Sequence, residues 1–277
     1  MYQTYWGLRA NPFGNRLDPD HYYPAPTHDE ALARLDYLVD SQRRLGLVIG
    51  PAGCGKSYVL EVLARQLARK AVCLSRLSLL GIEPAEMLWR IAAQWGLDPR
   101  PSDTPYDCWR ALGQRLIEHR WQGIRSLLLL DDAGQAAPEL LWQVCRLVRS
   151  AQVDRAGLTI VLASRPKEVK RLGARLLELA ELRIEVEPWD LTDTAAYLDH
   201  ALARAGRAEP IFDADAVVRL HELSAGAVRR IELLADLALL AAAGRGLPGV
   251  DADTIQGVYE ELGFMDQAIQ IGRSALR

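Results

Sequence analysis

Neither sign of charge dominates this sequence: 33 lysines and arginines stand against 36 aspartates and glutamates, for a formal net charge of -3. That balance excludes a globally basic nucleic-acid binder but not a local basic patch. Cysteine is scarce. Cys54, Cys73, Cys108 and Cys145 lie far apart, without the paired spacing of zinc or redox motifs, and nothing at the N-terminus reads as a secretory signal. Reduced thiols in a cytoplasmic protein are expected rather than two disulfides. Long apolar runs are missing too. The longest, 127–130 and 237–243, fall far short of the roughly 20 residues of a membrane span, so a soluble chain is expected. Internal repeats and low-complexity stretches are also lacking.

What is present is an ordinary globular composition, 49% hydrophobic and 25% charged over 277 residues, enough for a core domain and a smaller companion. Residues 1–27 are rich in aromatics and prolines and read as an ordered loop. Thr27 and Glu30 have capping-box spacing ahead of a helical run through Ala31, Leu32, Leu35, Leu38 and Val39. Apolar strands are expected at 45–49, 71–77, 126–130, 158–163 and 182–186. Helical patterns lie between them at 58–69, 84–95, 105–121 and 139–151. This alternation predicts an α/β domain with a mostly parallel sheet between helices. Beyond Pro188 only helical patterns follow, at 192–205, 214–224, 229–243 and 253–262. The expected organisation is an N-terminal segment 1–27, an α/β core 28–190 and a small all-helical domain 191–277.

The strongest motif is Gly50-Pro51-Ala52-Gly53-Cys54-Gly55-Lys56-Ser57, a full match to GxxxxGK[ST] between an expected strand and an expected helix. Glycines let backbone N–H groups turn around phosphate oxygens, and the following helix, which continues through Tyr58, presents its positive end to the anion. Lys56 is expected to reach the β- and γ-phosphates and Ser57 to hold Mg²⁺. Typical residue frequencies produce such a match by accident in about one chain of this length per hundred. A bound ATP with Mg²⁺ is therefore expected. Cys54 sits at a variable loop position, where its thiol is incidental. Leu127-Leu128-Leu129-Leu130-Asp131-Asp132 is an apolar strand ending in two carboxylates, as in a Walker B segment. Asp131 is the expected Mg²⁺ residue and Asp132 the group that orients the attacking water.

With these residues in place, the chain resembles the ExeA-like AAA+ ATPases, related to transposition ATPases of the TniB type. The resemblance runs through Tyr5-Trp6-Gly7-Leu8, Asn11-Pro12-Phe13, Asp18-Pro19 and His28-Asp29-Glu30-Ala31-Leu32, and reappears at Gly226-Ala227-Val228-Arg229-Arg230-Ile231. It implies a P-loop AAA+ core followed by a helical lid. It also implies that Arg229 is the sensor 2 arginine, reaching the γ-phosphate; a solvated arginine on a lid helix is the plainer alternative. Asn11, Pro12, Phe13 and His28 become base-pocket residues; the plainer reading, which need not exclude this, is that Trp6 and Phe13 plug the edge of the core. His28 has no metal-ligand partner at suitable spacing.

Departures from the family pattern shape the expected activity. Hydrolytic AAA+ members usually carry Glu where Asp132 stands, and the shorter side chain places its carboxylate about 1.5 Å back. Ser164-Arg165-Pro166 replaces Gly-Gln-Pro, leaving Ser164 or Arg165 for the sensor 1 region. No arginine-finger stretch is evident near Leu179-Ala180-Glu181, where Arg175 or Arg183 could substitute. The expectation is a slow ATPase, with Lys56, Asp132 and Arg229 as its working groups, that drives or gates assembly as a ring or filament with a protein partner. Secretion-type relatives add a membrane helix and a peptidoglycan-binding segment, so envelope work by a chain stopping at Arg277 is expected to need a partner. The alternatives are an ATP-gated DNA-binding regulator, with Lys167, Lys170, Arg171 and Arg175 on one helix face, and a nucleotide switch that does not hydrolyse.

Overall fold

The computed structural model describes residues 2–14, 17–153 and 157–274, with side chains described for 2–14, 17–150 and 157–263. Two units emerge. One comprises Leu17–Ala52 and Lys56–Glu187; the other comprises Met1–Arg16, Gly53–Gly55 and Pro188–Arg277. Residues 1–16, expected in a nucleotide-pocket segment ahead of the core, thus group with the C-terminal helices.

In the second, helical unit, α1 (Tyr2–Trp6) is the first element. Its Trp6 is 2% exposed, and its indole N–H donates to Leu239 O at 2.9 Å. Phe13 is equally buried, with its ring 6.1 Å from Tyr197 and 6.0 Å from Phe212. Burying two such side chains removes enough apolar surface to contribute about 3–6 kcal/mol, which explains why this proline- and aromatic-rich stretch is ordered.

The α/β unit opens with α2 (Pro26–Asp40), whose apolar residues at helical spacing are buried. Its N-cap is Ala25, without a side-chain bond. The expected Thr27–Glu30 capping box is therefore absent: Thr27 Oγ1 accepts from Glu187 N at 3.1 Å, and Glu30 pairs with Arg34. Next come β1 (Leu45–Ile49), α3 (Lys56–Leu67), β2 (Val72–Ser78), α4 (Pro84–Gln94), α5 (Pro105–Gln122), β3 (Arg125–Asp131), α6 (Pro138–Val153), β4 (Leu158–Ser164), α7 (Ala174–Leu179) and β5 (Leu182–Glu185). The strands form one sheet in the order β2-β3-β4-β1-β5, and every pairing is parallel. All residues of β1 and β4 are buried, as expected of strands covered on both faces by crossover helices. In such a sheet every strand ends on the same side, so the ends of β1, β3 and β4 are brought together. Ligands of open α/β sheets bind outside that edge.

The helical unit continues with α8 (Leu191–Arg204), α9 (Ala214–Ser224), α10 (Val228–Gly244) and α11 (Ala252–Ser274). The side chains of Asp190 and Asp213 accept from the backbone N–H three residues on, capping α8 and α9. Among the described residues no helix is long and apolar enough to cross a membrane.

Candidate functional site

The loop 50–55 leaves β1 and runs directly into α3, with Gly53 and Gly55 at φ of 79° and 99°. A side chain at either position would be strained, which accounts for glycine in both. Lys56 is the first residue of α3, and its ammonium folds back on the loop, donating to Gly50 O at 2.8 Å and Pro51 O at 2.7 Å. Ser57 follows in the first helical turn. Pro51 and Ala52 are exposed, and Cys54 is fully buried. Tyr58 is half-buried and donates from its hydroxyl to Asp18 O at 3.0 Å, tying residues 17–27 to α3. None of the four cysteines is in a disulfide.

The two neighbouring strand ends complete the edge. Gly50 N donates to Ser164 O at 3.3 Å, so the loop starts beside the end of β4. Asp131, 8% exposed, ends β3. Its carboxylate accepts the N–H of Asp132 at 2.9 Å, and Asp132 turns off the strand with a left-handed φ of 54°. Ser78, at the end of β2, donates from Oγ to Asp132 Oδ2 at 2.8 Å. Asp132 is therefore held from the neighbouring strand rather than loose in solvent.

The two sensor 1 alternatives are placed differently. Ser164 is 2% exposed at the β4 terminus, whereas Arg165 is exposed and lies 3.8 Å from Glu168. Ser164 is the one beside the phosphate loop. Of the finger alternatives, Arg183 pairs with Glu185 at 2.8 Å and Arg175 lies over the Trp142 ring. Lys167, Lys170 and Arg171 fall in a 3-10 helix, Pro166–Leu172, which breaks at Gly173 before α7 carries Arg175; the four do not share one helix.

The base-pocket residues fall into two places. Asn11, Pro12 and Phe13 belong to the helical unit, where Asn11 Oδ1 accepts from Phe13 N at 2.9 Å. His28 is 1% exposed on α2 of the α/β unit. Phe13 packs within the helical unit rather than at the edge of the core. Arg229 is exposed on the first turn of α10, and its backbone N–H donates to Gly53 O at 3.1 Å, a contact within the unit to which Gly53–Gly55 belong. Gly226, just before it, has φ of 68°, and a Cβ there would sit 2.1 Å from Trp189 O. The glycine in that stretch is thus demanded twice.

Sequence reasoning missed Arg76 and Ser78. Both lie on β2, two residues apart and so on one face. Arg76 pairs with Glu61 of α3 and reaches Ser57 O at 3.5 Å. Burial holds its guanidinium below the ordinary value, against the pull of Asp131. An arginine inside the strand Val72–Ser78 was the available signal. Among the described residues no group of three or more His, Cys, Asp or Glu is gathered as a metal site. A cation at this edge would rest on Asp131 and the Ser57 hydroxyl, with phosphate and water supplying the rest, the pattern Mg²⁺ prefers.

Comparison with known proteins follows the same lines. The AAA domain family matches residues 39–172. The chain is 30% identical over 279 residues to General secretion pathway protein A of Aeromonas hydrophila, covering 96% of this chain and 50% of that protein. It thus spans about half the length of that curated relative. Among solved structures, the ORC1 protein of Aeropyrum pernix in complex with DNA is similar with a TM-score of 0.65 at 19% identity, over 89% of this chain and 68% of that one. Cdc6p of Pyrobaculum aerophilum gives 0.67 at 18%, over 84% and 67%. The RuvB Holliday junction branch migration motor of Thermotoga maritima gives 0.58 at 13%, over 90% and 73%. At these identities the likeness is one of fold.

Proposed function

This chain is an ExeA-like AAA protein, and from that we propose that it binds Mg-ATP at the 50–57 loop and hydrolyses it slowly to gate assembly with a partner. The observation that carries the reading is the lysine: Lys56, at the N-terminus of α3, is folded onto the carbonyls of its own loop. An ammonium held there is poised to exchange two carbonyl contacts for phosphate oxygens. The loop N–H groups and the helix end would receive the remaining phosphate charge. Mg²⁺ between Ser57 and Asp131 would supply charge neutralisation on the β- and γ-phosphate oxygens.

In this proposal Asp132, held by Ser78, orients the attacking water, and Ser164 is the polar group at the sensor 1 position. The carboxylate of Asp132 is one methylene short and already accepts a hydrogen bond; both features favour slow turnover. Arg229 would answer to the γ-phosphate, a role supported by its backbone contact with Gly53 of the phosphate loop.

Sizing by light scattering with ATP, ADP or no nucleotide, with and without duplex DNA, tests gating. ATP-dependent growth supports the assembly reading. Growth only with DNA, lost as salt rises, transfers the protein to the DNA-regulator class. Replacing Lys56 by Ala should weaken ATP binding roughly ten- to a hundredfold, since hydrogen bonds to charged groups are worth about 1.5–3 kcal/mol. Undiminished affinity in a folded variant would sink the proposal.

A further inference from the structure

Away from the phosphate loop, the α/β unit carries a groove between α6 and the chain from Arg171 to Leu176. Its floor is apolar: Leu141, Leu172 and Leu176 are buried there, and Trp142 lies over them 57% exposed. The cavity measures 380 Å³ and continues into a second of 370 Å³ around Arg146 and Arg149, sharing Trp142, Cys145 and Arg175. Each is large enough to take a ligand group, as binding pockets run to about 300–1,000 Å³.

The rim has one sign of charge. Arg146 and Arg149 stand four and seven residues after Trp142, on the same face of α6, and line the second cavity; Arg171 lines the first, and Arg175 lines both. Among the described residues no acidic side chain lines either cavity. Among the described residues, none of the four guanidiniums has a carboxylate oxygen within 4.0 Å. Two are held in place instead by aromatic faces, Arg175 at 5.2 Å from the Trp142 ring centre and Arg146 at 4.1 Å from that of Trp109. A guanidinium seated on a ring keeps its N–H edge free for a carboxylate fork. In a chain with a net charge of -3, four arginines around one apolar groove, with no carboxylate partner among the described residues, are not a reflection of composition.

We propose that this groove docks an acidic segment of a partner protein, which inserts a bulky apolar side chain beside Trp142 and sets carboxylates on Arg146, Arg149, Arg171 and Arg175. The floor decides between anionic partners. Single-stranded nucleic acid needs successive aromatic platforms. Here buried leucines form the floor, and Arg175 covers the one exposed ring.

The test uses the full chain and fluorescence anisotropy with a short labelled peptide of glutamates around one central leucine. Binding is expected with or without ATP and equally in the Lys56→Ala protein, so it stands apart from the nucleotide reading. Reversal of charge in Arg146→Glu/Arg149→Glu should weaken it roughly tenfold or more. Trp142→Ala, or serine in place of the peptide's leucine, should also weaken it. Arg69→Glu/Arg100→Glu, the same charge change on exposed positions elsewhere, should leave it unchanged. The inference is overturned by no binding, by equal binding of a lysine peptide or a glutamate-only peptide, or by equal loss in the two charge reversals. Tighter binding of oligo-dT, lost on reversal at Arg146 and Arg149, would make the groove a nucleic-acid site. Loss of self-association in that variant, with peptide binding intact, would make it an interface between copies of the chain.

Discussion

Gly134 sits in the short 3-10 turn Ala133–Gln135, two residues past Asp132, and the consequence of adding one methyl group there can be worked out in advance. Its φ is not left-handed, so alanine is conformationally acceptable. By that measure alone the change should stabilise by about 0.4–1 kcal/mol, through the unfolded chain. The packing says the opposite. A Cβ would lie 2.4 Å from Glu168 Cβ, 2.5 Å from Ser164 Oγ and 3.1 Å from Glu168 Oε2. The hydroxyl and the carboxylate can swing away, but Glu168 Cβ is fixed to its backbone, so the 3-10 helix Pro166–Leu172 must move. Overpacking of this kind costs about 1–3 kcal/mol, which outweighs the entropic gain. A net loss of about 1–2 kcal/mol should lower the melting temperature by roughly 2–8 °C, measured by circular dichroism without nucleotide. In a Glu168→Gly background, which removes the obstructing Cβ, the same change should cost at least about 0.5 kcal/mol less. A Gly134→Ala protein that melts at or above the wild type, or a cost unchanged by Glu168→Gly, would refute the reasoning.

Asp132→Glu should raise ATP turnover by up to about a hundredfold if the shortened carboxylate limits it; an unchanged or lower steady-state rate counts against that geometry. Gly226→Ala combines a left-handed residue, costing about 1–2 kcal/mol, with a carbonyl that cannot yield, so a loss of about 3 kcal/mol or more is expected in urea unfolding. A loss under about 1 kcal/mol would contradict the close approach to Trp189. Burial raises the Glu232 carboxyl above its ordinary 4.5, despite the Tyr197 hydroxyl and Arg204, which pull the other way. A raised value means the folded state binds that proton more tightly. Its contribution is fully present below pH 4.5 and is lost as pH rises through the folded value. Glu232→Gln should therefore melt higher than wild type at neutral pH, with the advantage shrinking as pH falls toward 4.5. An advantage independent of pH would exclude this explanation.

The phosphate loop and the β3 terminus could be read from sequence because each is contiguous and its chemistry is local: glycines at positive φ, a lysine at a helix start, carboxylates at a strand end. The parallel strands were equally legible, since doubly covered strands are nearly uninterrupted apolar runs. Long-range choices were not. Nothing local shows that an aromatic segment seats on α10, as Trp6 does. The capping signal at Thr27 was read where α2 starts at Pro26, one residue earlier, while the capping box at Thr104 and Asp107 went unread. Arg76 and Ser78 approach Asp131 and Asp132 only because β2 pairs with β3 in register, Ser78 opposite Asp131. Spacing alone could not supply that register.

The short outer strand β5 closes one side of the sheet by pairing along Gly46–Ile49. The AAA match ends at residue 172, before that strand begins. A recombinant piece trimmed to the match would leave β1, the strand that delivers the phosphate loop, as a bare hydrophobic border with its amides and carbonyls open to any other chain. Such a fragment would aggregate for want of one outer strand.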